Sequence, residues 1–174
     1  MPVSLPSATG LQVIVFRENF FRGSVPVNLG SLQHLTNLQF THNQLGSANA
    51  DELSFLDSIT NCSNLKIFDM TSNSLNGSLP ASFANLSIQL ETLGMSRNMI
   101  LGSIPSGIGN LINLNSLGMG YNMLAGAIPA SIGKLNKMGG LSLKGNGLYG
   151  EIPDSFCNMT QLFDLQLAEN NLAG

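Results

Sequence analysis

The sequence predicts an α/β repeat protein: a right-handed superhelical solenoid with a concave parallel β-sheet, a mostly 3₁₀ or irregular convex side, and one short α-helix near residues 50–60. Three observations carry this expectation. An asparagine returns at Asn19, Asn43, Asn73, Asn98, Asn122, Asn146 and Asn170, with spacings of 24, 30, 25, 24, 24 and 24. Apolar residues stand eight, five and three positions before each one, as Leu114, Leu117 and Met119 do before Asn122. Another apolar residue follows two positions later, from Phe21 and Leu45 to Leu124, Leu148 and Leu172. A fixed period in the twenties with apolar residues at set offsets marks stacked turns of one kind.

Within a turn, the apolar residues five and three before the asparagine alternate with polar or small ones, the period-2 pattern of a strand with one buried face. One strand and one return segment cannot bury that set alone. Stacking buries it continuously and places the strands in a parallel sheet. The seven asparagines are interior polar residues and need partners. Each carboxamide has two donors and an acceptor, so we expect a structural ladder bonding backbone groups of its own and the next turn.

Taken in order, the chain opens partway through a turn, because Pro2 stands 24 before Pro26 and Leu5, Ala8 and Leu11 match Leu29, Leu32 and Leu35. The second turn carries six extra residues within 47–63, SANADELSFLDSITNCS. Asn49 with Glu52 three later resembles a capping arrangement, and Leu53, Leu56 and Ile59 recur at near-helical spacing, which places the α-helix on the outer side. Elsewhere that side is short and glycine-rich, as at 106–111 and 131–135, and should be 3₁₀ turns or irregular chain. The chain ends at Gly174, four past Asn170, without a polar cap. We therefore expect residues 1–174 to be one array of about seven repeats, truncated at both ends.

The consensus LxxLxxLxLxxNxLxGxIPxxxGxL resembles the plant-specific class of the leucine-rich-repeat solenoid, over essentially the whole chain. Joined to ADELSFLDSITNCSNL, GSLPASFANLS and GSIPSGIGNL, it is similar to ectodomains of plant receptor-like kinases in the branch that perceives microbial patterns. The resemblance implies a plasma-membrane parent receptor with this array on the extracellular side and a Ser/Thr kinase elsewhere. It implies a peptide or protein ligand, with a co-receptor ectodomain as a further partner, in pathogen perception and defence signalling. Two other readings stay open: a secreted inhibitor of a pathogen's cell-wall-degrading enzyme, as in polygalacturonase-inhibiting proteins, and a structural spacer in a longer array. The inhibitors are capped domains with disulfides at both ends, unlike this chain.

Composition narrows the function classes. Charged residues make up 10%, against roughly 25% in ordinary soluble domains. A net charge of −3 recommends neither nucleic acid nor an anionic membrane as a partner. No run of 18 apolar residues is present, and MPVSLP is not a signal peptide. Cys62 and Cys157 lie about four turns apart and are expected to be buried, inert thiols. We find no P-loop, GxSxG or paired carboxylates; GMGYNM at 118–123 lacks the third glycine of a dinucleotide loop, and His34 and His42 read as solvated or locally bonded. No enzyme, cofactor or metal site is expected.

What remains is surface. Positions six, four, two and one before the asparagine, and one after it, should point away from the core and form rows along the strand face. One row reads Glu18, His42, Ser72, Arg97, Tyr121, Gly145, Glu169; another holds Arg17, Thr41 and Lys144; a third holds Phe20, Met99 and Met123. Tyr and Arg suit interface hot spots and Met suits adaptable contacts. The expected ligand patch is Arg97, Tyr121, Met99 and Met123, flanked by Arg17, Phe20, His42 and Asp69. Gly94, Gly118, Gly120 and Gly140 should leave backbone bare for an extended peptide. Glycosylation sequons head at Asn61, Asn76, Asn85 and Asn158, three of them on the convex side and Asn76 on the flank.

Overall fold

The computed structural model describes residues 1–46 and 52–174. The strands, in chain order, are β1 (Val13–Val15), β2 (Arg22–Gly23), β3 (Asn37–Gln39), β4 (Gln44–Leu45), β5 (Ile67–Asp69), β6 (Asn76–Ser78), β7 (Thr92–Gly94), β8 (Met99–Gly102), β9 (Ser116–Gly118), β10 (Met123–Gly126), β11 (Gly140–Ser142), β12 (Gly147–Glu151), β13 (Asp164–Gln166) and β14 (Asn171–Ala173). The strands that precede each asparagine pair in parallel in the order β1-β3-β5-β7-β9-β11-β13. Their central residue is the one five before the asparagine, and these line up in register: Leu38 with Phe68, Leu93 with Leu117, Leu141 with Leu165. Leu38, Phe68, Leu93, Leu117 and Leu141 are all buried, and so are the residues three before the asparagine from Phe40 to Leu143. The alternation read from the sequence is thus the sheet's inward face.

The fold adds a second strand to each turn, which the sequence reading did not contain. The segments just past the asparagines pair in parallel as β14-β12-β10-β8-β6, and β2 pairs with β4. The residue two past the asparagine, expected merely to face inward, lies in this second strand or directly before it, as Phe21 and Leu75 do. Leu75, Ile100, Leu124 and Leu148 are fully buried there.

Six of the seven ladder asparagines bridge two turns, whereas the Asn19 amide donates to Arg17 O of its own turn. Asn122 donates its Nδ2 to Met119 O and Gly120 O of its own turn and to Met95 O of the preceding one, at 3.0, 3.3 and 3.0 Å. Its Oδ1 accepts the Ile100 N–H at 3.1 Å. Asn43, Asn73, Asn98, Asn146 and Asn170 repeat this pattern. These bonds reach the preceding turn rather than the next. Met119 O is shared with Asn146, Met95 O with Asn98 and Gly120 O with the Arg97 N–H. The Ile100 N–H, among the described residues, has the Asn122 amide as its acceptor, so the ladder satisfies a buried donor in each turn and links the turns through shared carbonyls.

The return side is 3₁₀, as expected. Segments Ala81–Asn85, Ser106–Asn110, Ala130–Lys134 and Asp154–Asn158 each begin directly after a proline, Pro80, Pro105, Pro129 and Pro153. Proline's fixed φ suits a helical start, where its missing N–H is not needed. The α-helix α1 (Phe55–Ile59) is shorter than its sequence signal. Leu53, Leu56 and Ile59 are buried, and so is Phe55, which the spacing had not singled out. Phe55 stands edge-on to Phe40 and Phe68, at ring separations of 6.3 and 6.4 Å, and joins the long turn to the sheet core. The expected cap does not hold: Ser54 is the N-cap and makes no side-chain cap bond. Asn49 lies outside the described residues, and Glu52 is buried, its Oε2 accepting the Asn76 N–H at 3.0 Å.

Cys62 is buried, and burial pushes its thiol up to about 11. Its Sγ donates to Leu29 O and Leu32 O. Cys157 is exposed, against the expectation of two buried thiols, because it faces outward from the last 3₁₀ segment while Phe156 and Met159 face in. Among the described residues no helix is long and apolar enough to cross a membrane, and no cluster of His, Cys, Asp or Glu could hold a metal ion.

Candidate functional site

The residue just before each ladder asparagine has a left-handed backbone. Glu18, His42, Ser72, Arg97, Tyr121, Gly145 and Glu169 have φ between 52° and 68°. Such a φ is rare outside glycine and costs about 1–2 kcal/mol per residue. Turn-to-turn hydrogen bonds hold it: Arg97 N–H donates to Gly120 O at 2.8 Å, and Tyr121 N–H to Lys144 O at 2.6 Å. This kink follows the sheet strand and sends the next segment into the second sheet.

The kinked row brings Arg97 and Tyr121 together. The Arg97 guanidinium carbon lies 4.6 Å from the Tyr121 ring centroid, the stacking that equal offsets in adjacent turns predicted. Two further residues join them. Lys144 Nζ lies 5.5 Å from the same ring and 3.2 Å from Glu169 Oε1. The Tyr121 hydroxyl, and after it Glu169, hold the Lys144 ammonium above its ordinary pKa. A Cβ on Gly145 would stand 2.7 Å from Tyr121 Cδ1, so the ring lies across the glycine of the following turn. Lys144, Gly145 and Glu169 stood in the predicted rows, but nothing in the sequence set them apart; only their register against Tyr121 does.

Arg97 pairs with no carboxylate among the described residues. Its guanidinium is exposed on the ring, with its donors available. Met123 is exposed and Met99 half-buried. Both begin strands of the second sheet, β10 and β8, rather than continuing the long sheet as the third row assumed. The chain turns at Arg97 and Tyr121 before reaching them. Met123 there pairs with the exposed Leu101. The patch therefore bends from the edge of one sheet onto the other.

The expected flank divides. Arg17 lies along the neighbouring turn, Nε donating to Thr41 Oγ1 at 3.1 Å and Nη1 to Gln39 Oε1 at 3.4 Å. Thr41, expected to be exposed, is buried. Phe20 and His42 are exposed beside Arg17. Arg17 and Phe20 lie three turns from Arg97 and His42 two, about 14 and 10 Å at the usual strand spacing, and the three form a separate patch. Asp69 is half-buried; its Oδ1 accepts the Thr71 N–H at 3.0 Å and fills the space above Gly94. The bare-backbone expectation fails at Gly94, and Ser96 Oγ and Lys144 O crowd Gly118 and Gly120. Gly140 alone of the four has open space around its Cβ position.

The sequons fall as their phases indicated. Asn61, Asn85 and Asn158 are exposed on the return side, whereas Asn76 begins β6 in the second sheet and is half-buried. A polar groove of about 440 Å³ runs beside the long sheet, lined by Gln89, Glu91, Asn113, Asn115 and Lys137. Much of its lining is already bonded: Asn113 donates to Ile88 O, Asn115 to Lys137 O, and Lys137 Nζ to Asn113 Oδ1.

A family model described as Leucine Rich Repeat matches residues 64–86, 89–111 and 140–159. Among curated proteins, the chain is 44% identical over 85 residues to the receptor kinase-like protein Xa21 of Oryza sativa subsp. japonica, covering 49% of this chain and 8% of that protein. It is 42% identical over 83 residues to the LRR receptor-like serine/threonine-protein kinase EFR of Arabidopsis thaliana, again covering 8% of the relative. The chain thus spans less than a tenth of the length of these relatives. In three dimensions it resembles the LRR ectodomain of the plant membrane receptor kinase GASSHO1/SCHENGEN3 from Arabidopsis thaliana, solved with CASPARIAN STRIP INTEGRITY FACTOR 2. The TM-score is 0.91 at 28% identity, over 99% of this chain and 20% of that one. It also resembles the Arabidopsis receptor kinase HAESA, solved with the peptide hormone IDA and the co-receptor SERK1. There the TM-score is 0.89 at 30% identity, over 99% of this chain and 28% of that one.

Proposed function

We infer that this leucine-rich-repeat solenoid, homologous to plant LRR receptor-like kinases, is a ligand-binding segment of a receptor ectodomain on the extracellular side of the plasma membrane. Its ligand is an extended peptide or a protein loop, its role is perception in defence signalling, and any catalysis belongs to a kinase domain elsewhere in the parent. The likeness to Xa21 and EFR supports the receptor reading. The likeness to a receptor solved with a peptide hormone and a co-receptor supports a peptide ligand, with a co-receptor as second partner.

The observation that carries the site is the Arg97–Tyr121 stack. An aromatic ring fixed from beneath by Gly145 and flanked by two cations offers an apolar surface with donors at its rim. Arg97, without a carboxylate of its own, has donors for a ligand's carbonyl or carboxylate. Met123 and Leu101 extend the apolar surface onto the second sheet.

The test is selection of a phage-displayed library of 15-residue peptides on the immobilised chain. Peptides enriched on the wild type should lose about thirtyfold or more in affinity for the Arg97→Ala/Tyr121→Ala double variant, the loss of a true hot spot. Equal affinity for both would move recognition to other turns of the chain, and failure to enrich any peptide would leave this segment a spacer.

A further inference from the structure

The fold treats the four Asn-x-Ser/Thr sequences differently. Asn85 closes the 3₁₀ segment Ala81–Asn85 and Asn158 closes Asp154–Asn158. Asn61 stands in the corresponding place just beyond α1. In each case the next residue, Leu86, Met159 or Cys62, turns into the core, so the asparagine before it is directed outward. All three asparagines are exposed, and none of their carboxamides has a hydrogen-bond partner among the described residues. Asn110 holds the same place, closing Ser106–Asn110, but Ile112 stands where the hydroxyl residue would be, and its amide donates to Ala84 O at 3.3 Å.

Asn76 is held otherwise. It is half-buried at the start of β6, with Met99 of β8 as its strand partner. Its backbone N–H donates to the buried Glu52 carboxylate, and its own Oδ1 accepts the Gly77 N–H at 2.8 Å. Gly77 is buried with φ at +120°. The carboxamide is therefore folded back onto its own strand, at the edge where the turn packs against its neighbour.

An N-linked glycan is bulky and hydrophilic and must leave the surface without displacing packed chain. On Asn61, Asn85 and Asn158 it replaces only water. On Asn76 the Oδ1–Gly77 bond fixes the carboxamide along its strand, so a sugar on Nδ2 would crowd the second sheet. We propose that the chain carries N-linked glycans on Asn61, Asn85 and Asn158 and leaves Asn76 bare. The proposal rests on the extracellular reading above, because transfer occurs in the secretory pathway. The three glycans shield the 3₁₀ side and leave the exposed sheet faces, with Arg97 and Tyr121, free of sugar.

The experiment is secretion of residues 1–174 from plant cells behind a heterologous signal peptide, with glycopeptide mass spectrometry of the secreted protein. Sugar is expected on Asn61, Asn85 and Asn158 and none on Asn76. Asn61→Gln, Asn85→Gln and Asn158→Gln should each remove one step of gel mobility, and Asn76→Gln none. Ile112→Thr completes a sequon at Asn110, in the outward phase, and should add one step. Translation of the same variants into microsomes reads the same pattern where secretion is poor. A glycan on Asn76, a bare residue among the three, or no added step from Ile112→Thr would overturn the proposal. Peptide selection on the same secreted sample separates the two readings. A lost ligand leaves the glycan map standing, and an altered map leaves the ligand result standing.

Discussion

The Arg97 guanidinium rests 4.6 Å from the centroid of the Tyr121 ring, and that ring in turn lies across the Cα of Gly145 in the next turn. Three successive turns thus meet at one aromatic side chain. A cation on an exposed ring is worth about 0.5–1 kcal/mol, too little to hold the geometry by itself. The left-handed backbone, bonded turn to turn, aims both side chains. Gly145→Ala should therefore do two things. At φ +68° the new Cβ costs about 1–2 kcal/mol, and it pushes the ring off its seat. Urea unfolding should show that loss, and Tyr121 should gain exposure, read as a shift in its fluorescence. An unchanged Tyr121 fluorescence would mean that the ring does not seat there.

The asparagine ladder predicts an unequal cost along one row. Asn98 is buried, donating to Met70 O, Met95 O and Ser96 O and accepting from Leu75 N–H. Asn19 is exposed, and its side-chain amide donates to Arg17 O alone among the described residues. Met70 O, Met95 O and Ser96 O keep Asn73, Asn122 and the Ser72 N–H, but Asn98→Ala strands the buried Leu75 N–H and should cost about 1–3 kcal/mol, whereas Asn19→Ala should cost under about 1 kcal/mol. Paired urea titrations check the difference; equal costs would remove the ladder's energetic role.

Stacking of the 3₁₀ segments requires glycine at particular places. A Cβ on Gly133 would stand 2.4 Å from Ser155 O, a backbone atom that cannot swing aside. A Cβ on Gly140, in β11, would meet nothing within 4 Å. Gly133→Ala should cost about 1–3 kcal/mol, while Gly140→Ala should stay within roughly 0.5 kcal/mol of the wild type. Thermal unfolding of the two variants decides it, and similar midpoints would contradict the close packing.

The two thiols should behave oppositely. Exposed Cys157 should react with iodoacetamide at pH 8, and Cys62 should stay protected until the chain unfolds. The folded-state value of Cys62, about 11, lies above its ordinary 9.0. The folded state therefore holds the proton more tightly, and the resulting stability is fully present below pH 9 and lost as pH rises through 11. Cys62→Ala should flatten stability across that window. Urea midpoints at pH 8 and pH 10.5 for both proteins test it; the same decline in each would assign the effect to other groups.

Much of the architecture was legible because the repeat signal is local. The offsets of Leu38, Phe68, Leu93 and Leu117 from their asparagines name the inward face of the long sheet, and the later 3₁₀ segments, from Ala81–Asn85 to Asp154–Asn158, start directly after a proline. The second sheet was not legible. Its strands are two to five residues long, and segments such as Asn76–Ser78 and Gly147–Glu151 are glycine-bearing and read as turns. They become strands only because the neighbouring turn supplies partners. Phe55 was missed for a similar reason: its neighbours are Phe40 and Phe68, residues of other turns.

The sequence by itself determined the period, the core positions and the asparagine ladder, since each follows from residue type at a fixed offset within one turn. It also determined that Arg97 and Tyr121 share an offset and so stand beside each other. Only the tertiary structure decided that Met99 and Met123 leave the long sheet at a left-handed kink, that Asp69 fills the space over Gly94, and that Lys144, Glu169 and Gly145 complete the Tyr121 site. Those outcomes depend on the register and spacing between turns, which backbone hydrogen bonding sets and no single turn encodes.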